Sequence, residues 1–145
     1  MSKGRKILII DDDAVHLYCA KEILEDAGYS VVLHTNGFGA TEAVMTNCPD
    51  LVLLDVNMPG LPGTALATVL RGREQTREVP ILLYSSNDED SLRRDAKRLG
   101  LAGCVSKGDP SELRRAVART LAAATGSSSA PPGETTAPTR GRRPP

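Results

Sequence analysis

Short apolar runs alternate along this chain with longer stretches in which apolar residues return every three or four positions. Ile7-Leu8-Ile9-Ile10, Leu51-Val52-Leu53-Leu54, Ile81-Leu82-Leu83-Tyr84 and Cys104-Val105-Ser106 read as strands. The near-continuous apolar runs among them suit strands buried on both faces. Ser30 to His34 reads as a further strand, more polar at its ends and therefore placed at a sheet edge. Between the strands, Leu17, Ala20, Leu24 and Ala27 recur at helical spacing, and Gly28 is placed to end that helix. Ala40, Ala43 and Val44 mark a second helix, closed before Pro49. Thr64 to Glu74 reads as a third, with Leu66, Val69 and Leu70 on its buried face. Leu92, Ala96 and Leu99 give a fourth, followed by Gly100. Asp109-Pro110-Ser111-Glu112 opens the last helix with a cap, a proline in the first turn and an acid at the third position. Leu113, Val117 and Leu121 supply its buried face.

Five βα units in a row predict an α/β fold with one parallel sheet, and right-handed crossovers put helices on both of its faces. The flavodoxin-like, doubly wound strand order 2-1-3-4-5 fits, and it sets the first and third strands side by side. The expected domain is residues 1–125. From Gly126 the composition changes: fourteen of the last twenty residues are Gly, Pro, Ser or Thr, with no large apolar side chain. Residues 126–145 therefore read as a disordered tail or a linker, since they cannot bury enough surface to offset their ordering entropy. Arg140, Arg142 and Arg143 make its end basic, which is weak evidence for any partner.

Charge and composition narrow the function. The formal net charge is zero, so there is no electrostatic case for nucleic acid or for an anionic membrane. The first apolar run stops after four residues at three aspartates, so neither a signal peptide nor a membrane span fits. Three cysteines at irregular spacing (Cys19, Cys48 and Cys104) form neither a disulfide framework nor a zinc signature. They read as small core hydrophobes in a reducing, cytoplasmic protein.

The chemistry gathers at the strand ends. The four main runs lead into Asp11-Asp12-Asp13, Asp55, Ser85-Ser86 and Lys107. In a parallel sheet these ends share the carboxyl edge, where open α/β folds bind ligands. Two carboxylates there repel by about 4 kcal/mol at ~4 Å with an effective dielectric near ~20, so a cation among them is implied. Mg²⁺ suits an all-oxygen site that also takes a phosphate. Asp12 and Asp55 are the expected direct ligands, Asp11 helps through water, and the Asn57 backbone carbonyl is a third protein oxygen. Asp55 is placed to act as a nucleophile toward phosphorus, with Lys107 and the Ser85 hydroxyl on phosphoryl oxygens. Asp13 reads as a helix N-cap. His16 and His34 lack partners at metal or triad spacing and read as surface or half-buried residues. Arg93, Arg94, Lys97 and Arg98 form a solvated basic face.

Asp11-Asp12, Asp55 followed by Asn57-Met58-Pro59-Gly60, Ser85-Ser86 and Lys107, in this order and spacing, resemble the receiver domain of bacterial two-component response regulators. The resemblance runs from about Lys6 to Ala124 and implies the CheY-like version of the fold, with five strands and five helices. It implies that Asp55 accepts a phosphoryl group from a phosphohistidine on a partner histidine kinase. Output would then pass to an unknown downstream protein by phosphorylation-dependent binding. Ser85 becomes the switch hydroxyl, with Ser86 beside it, while Asn57 and Asn87 influence dephosphorylation by water. The domain would be no enzyme beyond its own phosphorylation and dephosphorylation.

Two positions depart from the pattern. Receivers usually carry an aromatic residue three positions before the lysine, where this chain has Cys104, and a proline after it, where this chain has Gly108. A cis peptide without proline costs about 3 kcal/mol, so Lys107–Gly108 is expected to be trans. These departures keep open a scaffold receiver that binds its partner whatever the state of Asp55. A haloacid-dehalogenase-type phosphohydrolase is a remote alternative, because that chemistry wants an acid two residues after the nucleophile, where Asn57 stands.

Overall fold

The computed structural model describes residues 4–128. Five parallel strands form one sheet: β1 (Lys6–Ile10), β2 (Ser30–His34), β3 (Leu51–Asp55), β4 (Ile81–Ser85) and β5 (Gly103–Ser106). Their order is β2-β1-β3-β4-β5, with every pairing parallel. β3 and β4 are buried along their whole length and β1 along all but Lys6, whereas β2 at the edge has no buried residue. That is the contrast expected between interior strands covered on both faces and a margin.

Helices α1 (Ala14–Asp26), α2 (Ala40–Asn47), α3 (Gly63–Gly72), α4 (Glu89–Arg98) and α5 (Pro110–Ser128) divide between the two faces. One face packs Leu8, Ile10, Leu54 and Leu83 of the sheet under Val44 of α2, Leu66 and Leu70 of α3 and Leu92 of α4. The other packs Ile7, Ile9, Leu53 and Tyr84 under Leu17 and Leu24 of α1 and Leu113, Val117 and Leu121 of α5. Each fully buried Leu or Ile contributes roughly 1.5–3 kcal/mol, so the alternate residues of each strand hold both helical layers.

Local signals set the helix ends. Asp109 Oδ1 accepts from Ser111 N–H at 3.0 Å and Glu112 N–H at 3.3 Å, which caps α5. α1 ends where Tyr29 N–H donates to Leu24 carbonyl and Gly28 N–H to Glu25 carbonyl. α4 repeats the device with Leu101 to Ala96 and Gly100 to Lys97. In both, the glycine has positive φ (102° and 70°), which a side chain would resist.

Three expectations need correction. α3 spans Gly63–Gly72 rather than Thr64–Glu74, and its buried stripe is Gly63, Leu66, Ala67 and Leu70. Val69 is exposed, because the stripe runs at 63, 66, 67 and 70 and position 69 falls to one side of it. The cysteines are not core residues: Cys19 and Cys48 are exposed and Cys104 is half-buried. Cys48 caps α2 in the left-handed region at φ 47°, a turn conformation rather than a packing one. α5 continues through Ser128, past residue 125; the remainder of the expected tail, 129–145, lies outside the described residues.

Candidate functional site

The sheet register sets the site. Ile10 pairs with Leu54, so Asp11 and Asp55, one residue further on, stand beside each other. Ser85 pairs with Ser106, and Lys107 N–H donates to the Ser85 carbonyl at 2.9 Å, which brings the lysine to the same edge. Asp11 and Asp55 are buried, while Asp12 is exposed. Asp11, Asp12 and Asp55 each present an oxygen within 4.8 Å of the others. At that distance each like-charge pair costs about 3 kcal/mol with an effective dielectric near ~20. The expected convergence of the Asp12 and Asp55 carboxylates is therefore present.

Lys107 answers part of that repulsion. Its Nζ donates to Asp11 Oδ2 at 2.9 Å and to Asp55 Oδ1 at 3.3 Å. Burial pushes the Asp55 carboxyl above its usual pKa; Lys107 pulls it down, and Asp11 adds to the rise. The Lys107 ammonium also lies 5.3 Å from the centre of the Tyr84 ring. Burial, Asp11 and Cys19 push the Tyr84 phenol up to about 12, so it stays neutral under the ammonium.

A second group of polar side chains closes the α3–α4 side. Asn57 Nδ2 donates to Ser85 Oγ at 3.1 Å and to Asn87 Oδ1 at 2.8 Å. Asn87 returns a bond from Nδ2 to Asn57 Oδ1 at 3.3 Å, and its backbone N–H donates to Ser85 Oγ at 3.1 Å. Asn57, expected through its backbone carbonyl, thus also contributes its side-chain amide. Ser86 is exposed and lines a small cavity of about 140 Å³ together with Asp11, Asp12, Asp55, Asn57 and Lys107. Three carboxylates with their oxygens this close together fit a hard divalent cation.

Asp13 caps α1 as expected, with Oδ1 accepting from Val15 N–H at 2.9 Å and His16 N–H at 3.3 Å. Its carboxyl is held below the usual range first by the His16 backbone N–H. His16 is half-buried, as expected, and stands among the polar groups of the site. Its Nδ1 lies 2.9 Å from Lys107 Nζ, 3.8 Å from Asp11 Oδ2 and 3.7 Å from Asp13 Oδ2. The usable signal was its place one turn after the Asp13 cap, which puts it at the same end of α1 as the acids. Arg93 of the basic face pairs with Glu89 and Asp90, and Arg98 with Asp95.

Both departures are visible. The Lys107–Gly108 peptide is trans, and Gly108 has φ 113°, where a non-glycine residue would be strained. Cys104 packs against the α4 side of the core, and burial raises its thiol pKa. Beside it a groove of about 480 Å³ opens between α4, β5 and α5.

A family model described as the response regulator receiver domain matches residues 7–118. The chain belongs to that family. This receiver is 30% identical over 109 residues to the sensor protein GacS of Pseudomonas syringae, covering 73% of this chain but 12% of GacS. It is 29% identical over 102 residues to PilH of Pseudomonas aeruginosa, covering 70% of this chain and 84% of PilH. The solved receiver domain of the sensor histidine kinase PA1611 from Pseudomonas aeruginosa, with a magnesium ion in its active-site cleft, superposes with a TM-score of 0.74. That structure is 27% identical and the match covers 82% of this receiver and 98% of it. The matched region is thus a small part of some relatives and nearly the whole of others. Among the described residues of the receiver, no helix is long and apolar enough to cross a membrane.

Proposed function

We propose that this receiver takes a phosphoryl group onto Asp55 from a phosphohistidine of a histidine kinase and passes the change to a protein partner by altered binding. The observation that carries the reading is the Lys107 ammonium held between Asp11 and Asp55 beside a third carboxylate, at the end of a buried strand. An Asp55 carboxylate oxygen attacks phosphorus; the P–O bond forms as the P–N bond breaks, and the electron pair leaves with the imidazole. The proton balance at the leaving ring is completed by solvent. Mg²⁺, held by Asp11, Asp12 and Asp55 with the Asn57 carbonyl, would neutralise phosphoryl oxygens as charge shifts toward them. Lys107 meets a further oxygen. Ser85 Oγ accepts from the Asn57 side-chain amide and the Asn87 backbone N–H, which leaves its own hydrogen to donate to a phosphoryl oxygen.

The domain would be no enzyme in the ordinary sense, since its own carboxylate is consumed. Both donor and target are proteins, the kinase on one side and an unidentified output partner on the other. Incubation with acetyl phosphate and Mg²⁺ should give a mass gain of one phosphoryl group, absent in Asp55→Asn. No gain in the wild type would end the reading. Cys104 gives one specific reason for the scaffold alternative. With a thiol in place of an aromatic side chain, β5 has no large ring to swing between two positions. A pull-down in which wild type and Asp55→Asn capture the same partner equally, with and without phosphodonor, would favour that version. Nothing in the site favours a phosphohydrolase: the amide of Asn57, not an acid, occupies the place two residues after Asp55.

A further inference from the structure

We infer that His16 is a positioning residue for Lys107, holding the ammonium back from Asp55 until a phosphoryl oxygen arrives; the inference rests on the phosphoacceptor reading. An ammonium has three hydrogens to donate, and Lys107 Nζ meets three acceptors. Two are short, Asp11 Oδ2 at 2.9 Å and His16 Nδ1 at 2.9 Å, and the third, Asp55 Oδ1, is longer at 3.3 Å. The lysine side chain is only 10% exposed, so its hydrogens depend on these protein acceptors. Because the ammonium only donates, the imidazole nitrogen must accept, and the neutral ring carries its proton on Nε2.

The three acceptors come from different parts of the fold. Asp11 follows β1, His16 sits in the first turns of α1 and Asp55 ends β3. Asp11 and His16 together draw the ammonium toward the α1 side, where the Tyr84 ring also lies. Without Nδ1 the third hydrogen has no fixed acceptor on that side. The ammonium would then close on Asp55, the longest of its contacts, and form a tighter ion pair with the attacking oxygen. A carboxylate so paired is a weaker nucleophile, and the same oxygen becomes harder for a divalent cation to share. The role is specific to an acceptor at this point in space; bulk or charge at position 16 would not supply it.

The test compares wild type with His16→Leu, which removes the acceptor, and His16→Asn, whose amide oxygen overlies the Nδ1 position. His16 is on the surface side of α1, its side chain 42% exposed, so the variants keep the core intact. Acetyl phosphate serves as donor, so that no partner docking is involved. The rate of Asp55 phosphorylation should fall roughly tenfold in His16→Leu, about 1.4 kcal/mol of barrier, and return to within about twofold of wild type in His16→Asn. In a Lys107→Ala background the His16→Leu change should add nothing. A wild-type rate in His16→Leu, or a loss that persists without Lys107, overturns the inference. A second readout needs no phosphorylation: solvent exchange of the Lys107 Nζ hydrogens, followed by nitrogen-15 NMR, should quicken in His16→Leu and slow again in His16→Asn. Unchanged exchange overturns the inference. Failure of wild type to take up phosphoryl instead overturns the functional reading, and the exchange comparison then decides the case of His16 alone.

Discussion

A methyl group on Gly63 would overlap the backbone carbonyl of Asp55 and press on the Val56 Cα. This close approach lets Gly63 N–H donate to Val56 carbonyl at 3.0 Å, tying the start of α3 to the strand that carries Asp55. Backbone cannot yield as a flexible side chain can, so Gly63→Ala should cost about 2–3 kcal/mol of stability in urea unfolding. It should also slow Asp55 phosphorylation, because the strand end must move. Asp55 itself carries a stability consequence. Burial holds its carboxyl above the usual value in the folded protein, so folding favours the neutral form. That contribution is full below the unfolded pKa and is lost as pH rises through the folded one. Asp55→Asn should therefore be more stable than wild type at neutral pH, by about 1 kcal/mol, the order expected for relieving a partly compensated like-charge contact. The advantage should vanish as acid protonates Asp55. Urea midpoints at neutral and acid pH decide this, and a neutral-pH loss in Asp55→Asn would contradict it.

At the scale of elements, caps and stripes explain most of what the chain folds into. Asp109 holds two N–H groups at the head of α5, the helix that covers Ile9 and Val105 with Leu113 and Val117. Asp109→Ala should lower stability by about 1 kcal/mol, measured by thermal or urea unfolding, without changing the sheet. β1, β3 and β4 were legible because burial on both faces writes an unbroken apolar run, and β2 because its polar ends betray an edge. α3 was misjudged at Val69 because a helix that begins against β3 buries Gly63 and Ala67, residues too small to show in an apolar pattern. The acids of the site were legible as strand-end residues brought together by register. The partnership of His16 with Lys107 was not, since its place one turn after the Asp13 cap sets it at the acids' end of α1 but does not name a partner 91 positions away. The Asn57–Asn87 amide pair escaped for the same reason: it depends on how two loops lean together, not on either loop's composition.

For the whole molecule, the three clustered carboxylates predict a stability that responds to divalent cations. Any ion that binds the folded acids and not the unfolded chain adds RT ln(1 + [L]/Kd), about 1.4 kcal/mol at ten times Kd. Mg²⁺ should therefore raise the unfolding temperature of wild type, and Asp12→Asn should reduce that rise. Thermal melts with and without Mg²⁺ measure it, and an equal rise in both proteins would remove Asp12 from the ligand set. The sheet also separates what touches the site. Lys107 reaches it from the layer of α1 and α5, in company with Tyr84 and His16. Ser85, Asn57 and Asn87 reach it from the layer of α3 and α4. A group attached to Asp55 thus has a lever on each side of a wall one strand thick. A single chemical event could be announced on two opposite surfaces at once, and two partners could read it without competing for space.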